Sequence, residues 1–114
     1  MLKDGVVLED NGCRIVINQY SFCELIKHLL KHYVKISYEN ASEIVSQSHL
    51  VKPISSAMDA RLLNHEYPYY WAMHLYYGEL YWKKGIPAQP NDMTAYFELE
   101  SSIRKHYNLN EPFE

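Results

Sequence analysis

The sequence predicts a mainly α-helical fold: a compact bundle of four to five helices around a central aromatic helix, with a small N-terminal β-hairpin. Three observations carry this reading. Apolar residues recur at helical spacing along most of the stretch 21–107. An Asn-Gly pair separates two β-branched runs near the N-terminus. The segment Tyr67 to Lys84 is apolar around most of a helical circumference, the pattern of a helix in the middle of a bundle.

The hairpin comes first, over residues 5–18. Gly5-Val-Val-Leu-Glu9 and Cys13-Arg-Ile-Val-Ile-Asn18 flank Asp10-Asn11-Gly12, and both Asn11 and Gly12 tolerate the positive φ of a tight type I′ turn. An isolated hairpin is barely stable in water, so this one is expected to lean on the helices. The helical bundle is expected over 21–107, and residues 108–114 are expected to form a loose tail of a single globular domain.

Ser21-Phe-Cys-Glu24 has the form of a capping box, with Tyr20 and Leu25 placed for a hydrophobic staple. Phe22, Leu25, Ile26, Leu29, Tyr33 and Ile36 continue from it as one helical stripe. Asn40-Ala-Ser-Glu43 is read as a second cap, opening a short helix that must stop before Pro53. Ser56-Ala-Met-Asp59 opens a third, carrying Met58, Leu62 and Leu63.

Pro68 suits the first turn of the central helix, and Gly85 suits the position just past its end, after Lys83 and Lys84. Tyr69, Met73, Tyr76 and Leu80 make one apolar stripe, and Trp71, Leu75, Gly78 and Trp82 another. Gly78 inside such a helix costs about 1 kcal/mol relative to Ala, which close approach of a neighbouring backbone would explain. Asn91 is read as the cap of a last helix with Tyr96, Leu99, Ile103 and Tyr107 on its inner face.

Composition narrows the function. The chain has 114 residues, 47% hydrophobic and 22% charged, a normal make-up for one folded domain that needs no disulfide or metal staple. Cys13 and Cys23 are too few for a disulfide scaffold. The first residues lack the apolar run of a signal peptide, and no stretch approaches a membrane span, so a soluble cytoplasmic protein is expected. Net charge is −3, which opposes nucleic-acid binding, since phosphate neutralisation needs clustered Lys and Arg. Residues 1–84 balance nine acids with nine bases; residues 85–114 hold five acids, Asp92, Glu98, Glu100, Glu111 and Glu114, against Arg104 and Lys105.

The search for chemistry is mostly negative. Phosphate-binding glycine loops, paired-cysteine motifs and nucleophile elbows are absent from the sequence. His28 and His32 share a helical face, but position 29 is Leu where the helical zinc motif needs Glu, and no cofactor or metal is expected. Cys23 follows a core Phe and reads as a buried thiol. Arg61, His65 and Glu66 are the one grouping of acid–base side chains. They fall short of the Arg-to-His spacing of small helical nucleases, so a hydrolase or nuclease centred on them is the alternative reading.

Protein binding is the leading expectation. Eleven tyrosines are more than a small core can bury with satisfied hydroxyls, and exposed tyrosine favours interfaces. Tyr69, Tyr70, Tyr76 and Tyr77 are the expected anchors, with Asp92, Glu98 and Glu100 meeting a basic partner. In size, acidic balance and the Tyr/Trp-rich stretch from His65 to Trp82, the chain resembles the small immunity proteins that neutralise bacterial toxins, including those of contact-dependent growth inhibition. That resemblance implies a stoichiometric inhibitor occluding a basic toxin domain, without turnover. A homo-oligomer, in its smallest form a homodimer, using the same tyrosines against itself is the third reading.

Overall fold

A computed structural model describes residues 2–114. The mainly helical class with an N-terminal hairpin is as the sequence predicts. Two antiparallel strands, β1 (Val6–Asp10) and β2 (Cys13–Ile17), pair in register from Val6 opposite Ile17 to Asp10 opposite Cys13. Asn11 and Gly12 turn the chain with positive φ, as a two-residue hairpin loop requires. Five helices follow: α1 (Gln19–Tyr33), α2 (Tyr38–Ser46), α3 (Ala57–Asn64), α4 (Pro68–Tyr77) and α5 (Met93–His106). Single 3-10 turns lie at His49–Val51 and Tyr81–Lys84.

The main core is built on α1, whose Phe22, Cys23, Leu25, Ile26, Leu29 and Leu30 are all buried. Against them pack Ala41 and Val45 of α2, Tyr69, Ala72 and Met73 of α4, and Tyr96 and Ile103 of α5. The hairpin leans on α3 through a smaller cluster of Ile15, Ala57 and Ala60. The turn joins in, because Asp10 Oδ1 accepts the N–H of Ala57 at 2.9 Å beside the Ser56 cap on Asp59. Ser56 therefore caps as expected, although Met58 and Leu62 of α3 face solvent.

Four expectations need correction. The long helix Tyr67–Lys84 is broken: α4 ends at Tyr77, Gly78 adopts φ +93° and ψ −178°, and Leu80 is left-handed before the second 3-10 turn. Gly78 is thus the helix stop, reaching a backbone region closed to residues with a Cβ. The capping box at Ser21 is not used. The helix starts three residues earlier, with Asn18 at the N-cap, and the Ser21 hydroxyl lies inside it, donating to Asp4 and accepting from the Asn110 N–H. Tyr20 is correspondingly exposed. The caps of α2 and α5 are Ser37 and Asp92, not Asn40 and Asn91.

The fourth correction concerns residues 108–114, which are docked. Phe113 bridges Ile17, and Val16 and Glu114 exchange two backbone hydrogen bonds of 2.9 Å. Asn18 ties the ends of the chain to α1. Its Oδ1 accepts from the Gly5 N–H, its Nδ2 donates to the Glu111 carbonyl, and its backbone N–H donates to the Pro112 carbonyl, each at 2.7 Å. Pairing with the β2 edge satisfies backbone groups that would otherwise face water, and so it orders a polar segment that reads as a tail.

Candidate functional site

Two clefts lie on either side of α5, and between them they take in Tyr69, Tyr77, Asp92, Glu66 and Glu100 of the residues singled out from sequence. The first is a groove of about 600 Å³ lined by Tyr33, Tyr69, Met73 and Tyr77 on one wall and Asp92, Tyr96 and Leu99 on the other. The α4 sequence places Tyr69, Met73 and Tyr77 one helical turn apart, hence on one face. Asp92 stands at the rim, exposed, with Oδ1 accepting from the Ala95 N–H at 3.1 Å to cap α5. Three of the expected contact residues, Tyr69, Tyr77 and Asp92, thus share one groove.

Tyr69 does so as floor, not as an exposed anchor. It is 3% exposed, its hydroxyl donates to the Pro87 carbonyl at 2.8 Å, and its ring meets Tyr33 edge-on at 5.0 Å. Burial pushes its hydroxyl pKa up, as it does for Tyr33. Tyr70 is half-buried and stacks on His74, away from the groove. Tyr76 is 44% exposed and lines a separate shallow hollow with Ile36 and Ile44. Glu98 lies exposed on α5.

The second cleft, of about 350 Å³, lies among the end of α3, the start of α4, α5 and the docked segment 111–113. Aromatic walls come from Tyr67, Phe97 and Phe113, and the acids are Glu66, Glu100 and Glu111. Glu100, expected as a surface contact, is buried. Its Oε1 accepts from Arg104 Nη1 at 3.2 Å, while Oε2 is buried with no hydrogen-bond partner. Burial raises the Glu100 pKa, against the opposing pull of the Tyr96 hydroxyl and the Arg104 guanidinium, neither of which gives Oε2 a well-formed hydrogen bond.

The acid–base grouping does not assemble. Arg61 and His65 are exposed, neither lines the cleft that Glu66 faces, and among the described residues no hydrogen bond or ion pair joins the three. His28 is buried, stacked on Tyr107 at 3.9 Å, and its pKa is lowered first by burial and then by Lys31. His32 is exposed beside Tyr33. Among the described residues, no three His, Cys, Asp or Glu side chains converge to hold a metal ion, and no helix is long and apolar enough to cross a membrane.

Sequence reasoning missed Tyr33, Tyr67 and Phe97 as cleft residues. Tyr33 sits on the apolar stripe of α1 and reads as core, while Tyr67 and Phe97 flank residues already assigned to the inside. Aromatics one or two residues apart in the first turns of a helix, Tyr67 with Tyr69 and Tyr96 with Phe97, are the signal that would have found them, since both members cannot face one core. Comparison with family models, with curated proteins and with solved structures finds no match for this chain.

Proposed function

We propose that this protein is a non-enzymatic protein-binding module: a cytoplasmic immunity protein that occludes a basic toxin domain stoichiometrically. The groove beside α5 is the observation that carries this reading. It sets tyrosine walls beside one exposed carboxylate, Asp92, and large amphipathic rings of this kind are what interfaces favour. Tyr67, Tyr76, Trp82 and Phe97 are further large aromatic residues exposed elsewhere on the surface. The competing hydrolase reading draws less support, because Arg61 and His65 are exposed and neither lines the cleft that Glu66 lines.

The test is co-expression with the basic C-terminal domain of a large secreted protein encoded beside this one. A 1:1 complex that survives purification, together with protection of cells from that domain, is the expected result. Tyr77→Ala and Asp92→Asn should each weaken the complex by about tenfold or more while leaving the fold intact, the scale of the minority of interface residues that carry most of the binding energy. Failure to bind or to protect overturns the reading for that partner.

A further inference from the structure

We propose that the cleft formed by Tyr67, Phe97, Phe113, Glu66, Glu100 and Glu111 is a socket for one guanidinium or ammonium side chain of a protein partner. The inference rests on the protein-binding reading for the carrier of that side chain, and on the cleft alone for its chemistry.

Charge is the first argument. Three carboxylates line the cleft against the single guanidinium of Arg104. Arg104 leaves them incompletely paired: it reaches Glu100 Oε1 at 3.2 Å, but its approach to Glu111 is 3.9 Å, too long for a hydrogen bond. The second argument is the orphaned acceptor. Glu100 is 8% exposed and lines the cleft, yet its Oε2 is buried without any hydrogen-bond partner. Buried polar atoms are nearly always paired, so an unpaired carboxylate oxygen marks a place where a donor arrives.

Shape and wall chemistry choose the donor. An anion would meet net negative charge, and a neutral apolar ligand would leave Oε2 unpaired. A bare metal ion has no three carboxylates close enough among the described residues. A cation on an aliphatic stem meets each demand. Its head donates to Glu100, and its stem lies along Phe97 and Phe113. The aromatic faces attract its charge, and the rim acids Glu66 and Glu111 draw it in. A volume of about 350 Å³ lies at the small end of ligand sites, enough for one long side chain and too little for a folded element.

The test is a two-dimensional amide NMR titration of the whole protein with N-acetyl-arginine amide, and in parallel with N-acetyl-citrulline amide, its neutral near-isostere. The arginine derivative should bind with Kd on the order of millimolar and citrulline at least about tenfold more weakly. Shifts should centre on Phe97, Glu100 and Phe113. Glu100→Gln should weaken the arginine derivative by about tenfold, and the rim variant Glu66→Gln by about threefold. The spectra themselves show that each variant is folded. Equal binding of the two compounds, shifts centred elsewhere, or no shift at about 50 mM would overturn the socket. The outcome is independent of the toxin assay: a working socket with no toxin complex sinks only the immunity reading, and a toxin complex with no socket response sinks only this one.

Discussion

The hydroxyl of Tyr96 accepts the backbone N–H of Tyr69 at 2.9 Å, so a side chain of α5 closes the first turn of α4. The N-cap residue Tyr67 makes no side-chain cap, and Pro68 has no N–H to offer. Tyr96 is 1% exposed, and burial drives its hydroxyl pKa far above the ordinary range. Tyr96→Phe keeps the ring and removes the acceptor, leaving a buried N–H unpaired. It should destabilise the protein by about 1–3 kcal/mol, read from the midpoint of urea unfolding, with far-ultraviolet circular dichroism unchanged. A loss below about 0.5 kcal/mol would mean that water replaces the hydroxyl.

Glu100 sets a pH dependence of the opposite sign to that of most carboxylates. Its folded pKa is raised above the ordinary 4.5, chiefly by burial. The folded protein therefore holds this proton more tightly than the unfolded chain. The stability this group contributes is fully present below the unfolded pKa, and is lost as pH rises through the folded one. Glu100→Gln stays neutral throughout and still accepts from Arg104. The variant should gain stability relative to the parent across that window, as measured by urea unfolding in steps from acid to neutral pH. A difference that does not change with pH would show that Glu100 titrates as if in water.

How far the sequence reveals this fold depends on how local each cause is. The hairpin is legible because Asn11-Gly12 specifies its own turn. Ser56 is legible as a cap because its partner, Asp59, lies three residues on. Ser21 is not, because what decides its place is Asp4 and Asn110, distant in the chain. Glu100 looks like half of an exposed i,i+4 pair with Arg104. Its burial comes with residues 111–113, which carry no periodic pattern and were expected to be loose. The clefts were hidden for the same reason: each needs elements that only tertiary packing brings together.

Phe113 tests that docking directly. Its ring packs on Phe22 at 5.3 Å between centroids, and its backbone bridges Ile17. Phe113→Ala should cost about 2 kcal/mol, short of a fully buried Phe because Phe113 is only partly enclosed. Amide exchange should accelerate at Val16 and Glu114, whose mutual hydrogen bonds depend on the same segment. Unchanged protection at both would overturn the assignment of Phe113 as the anchor.

Gly78 carries the break between α4 and the turn that follows. With φ +93° and ψ −178° it occupies a region essentially restricted to glycine. A Cβ added there would meet only Lys84 Nζ, at 3.5 Å, so the backbone and not crowding governs the outcome. Gly78→Ala should destabilise by about 1–3 kcal/mol. In an uninterrupted helix the same change would instead stabilise by about 1 kcal/mol, since Ala is the better helix former. The sign of the change, taken from thermal unfolding, decides between them.

The two thiols should differ sharply in reactivity. Cys23 is 0% exposed, its Sγ donates to the Leu50 carbonyl at 3.5 Å, and burial pushes its pKa up to about 12. Cys13 ends the hairpin turn and is partly exposed. Thiolate is the reactive form, so at neutral pH Cys23 has neither the ionisation nor the access that alkylation needs. Treating the native protein with iodoacetamide should give one modified site, Cys13, by peptide mass mapping, and unfolding in urea should add Cys23. Because opening of α1 is required to expose Cys23, its slow labelling rate should follow global stability and rise in Tyr96→Phe. Labelling of Cys23 as fast as Cys13 in the native state would mean that the α1 core opens far more readily than its packing implies.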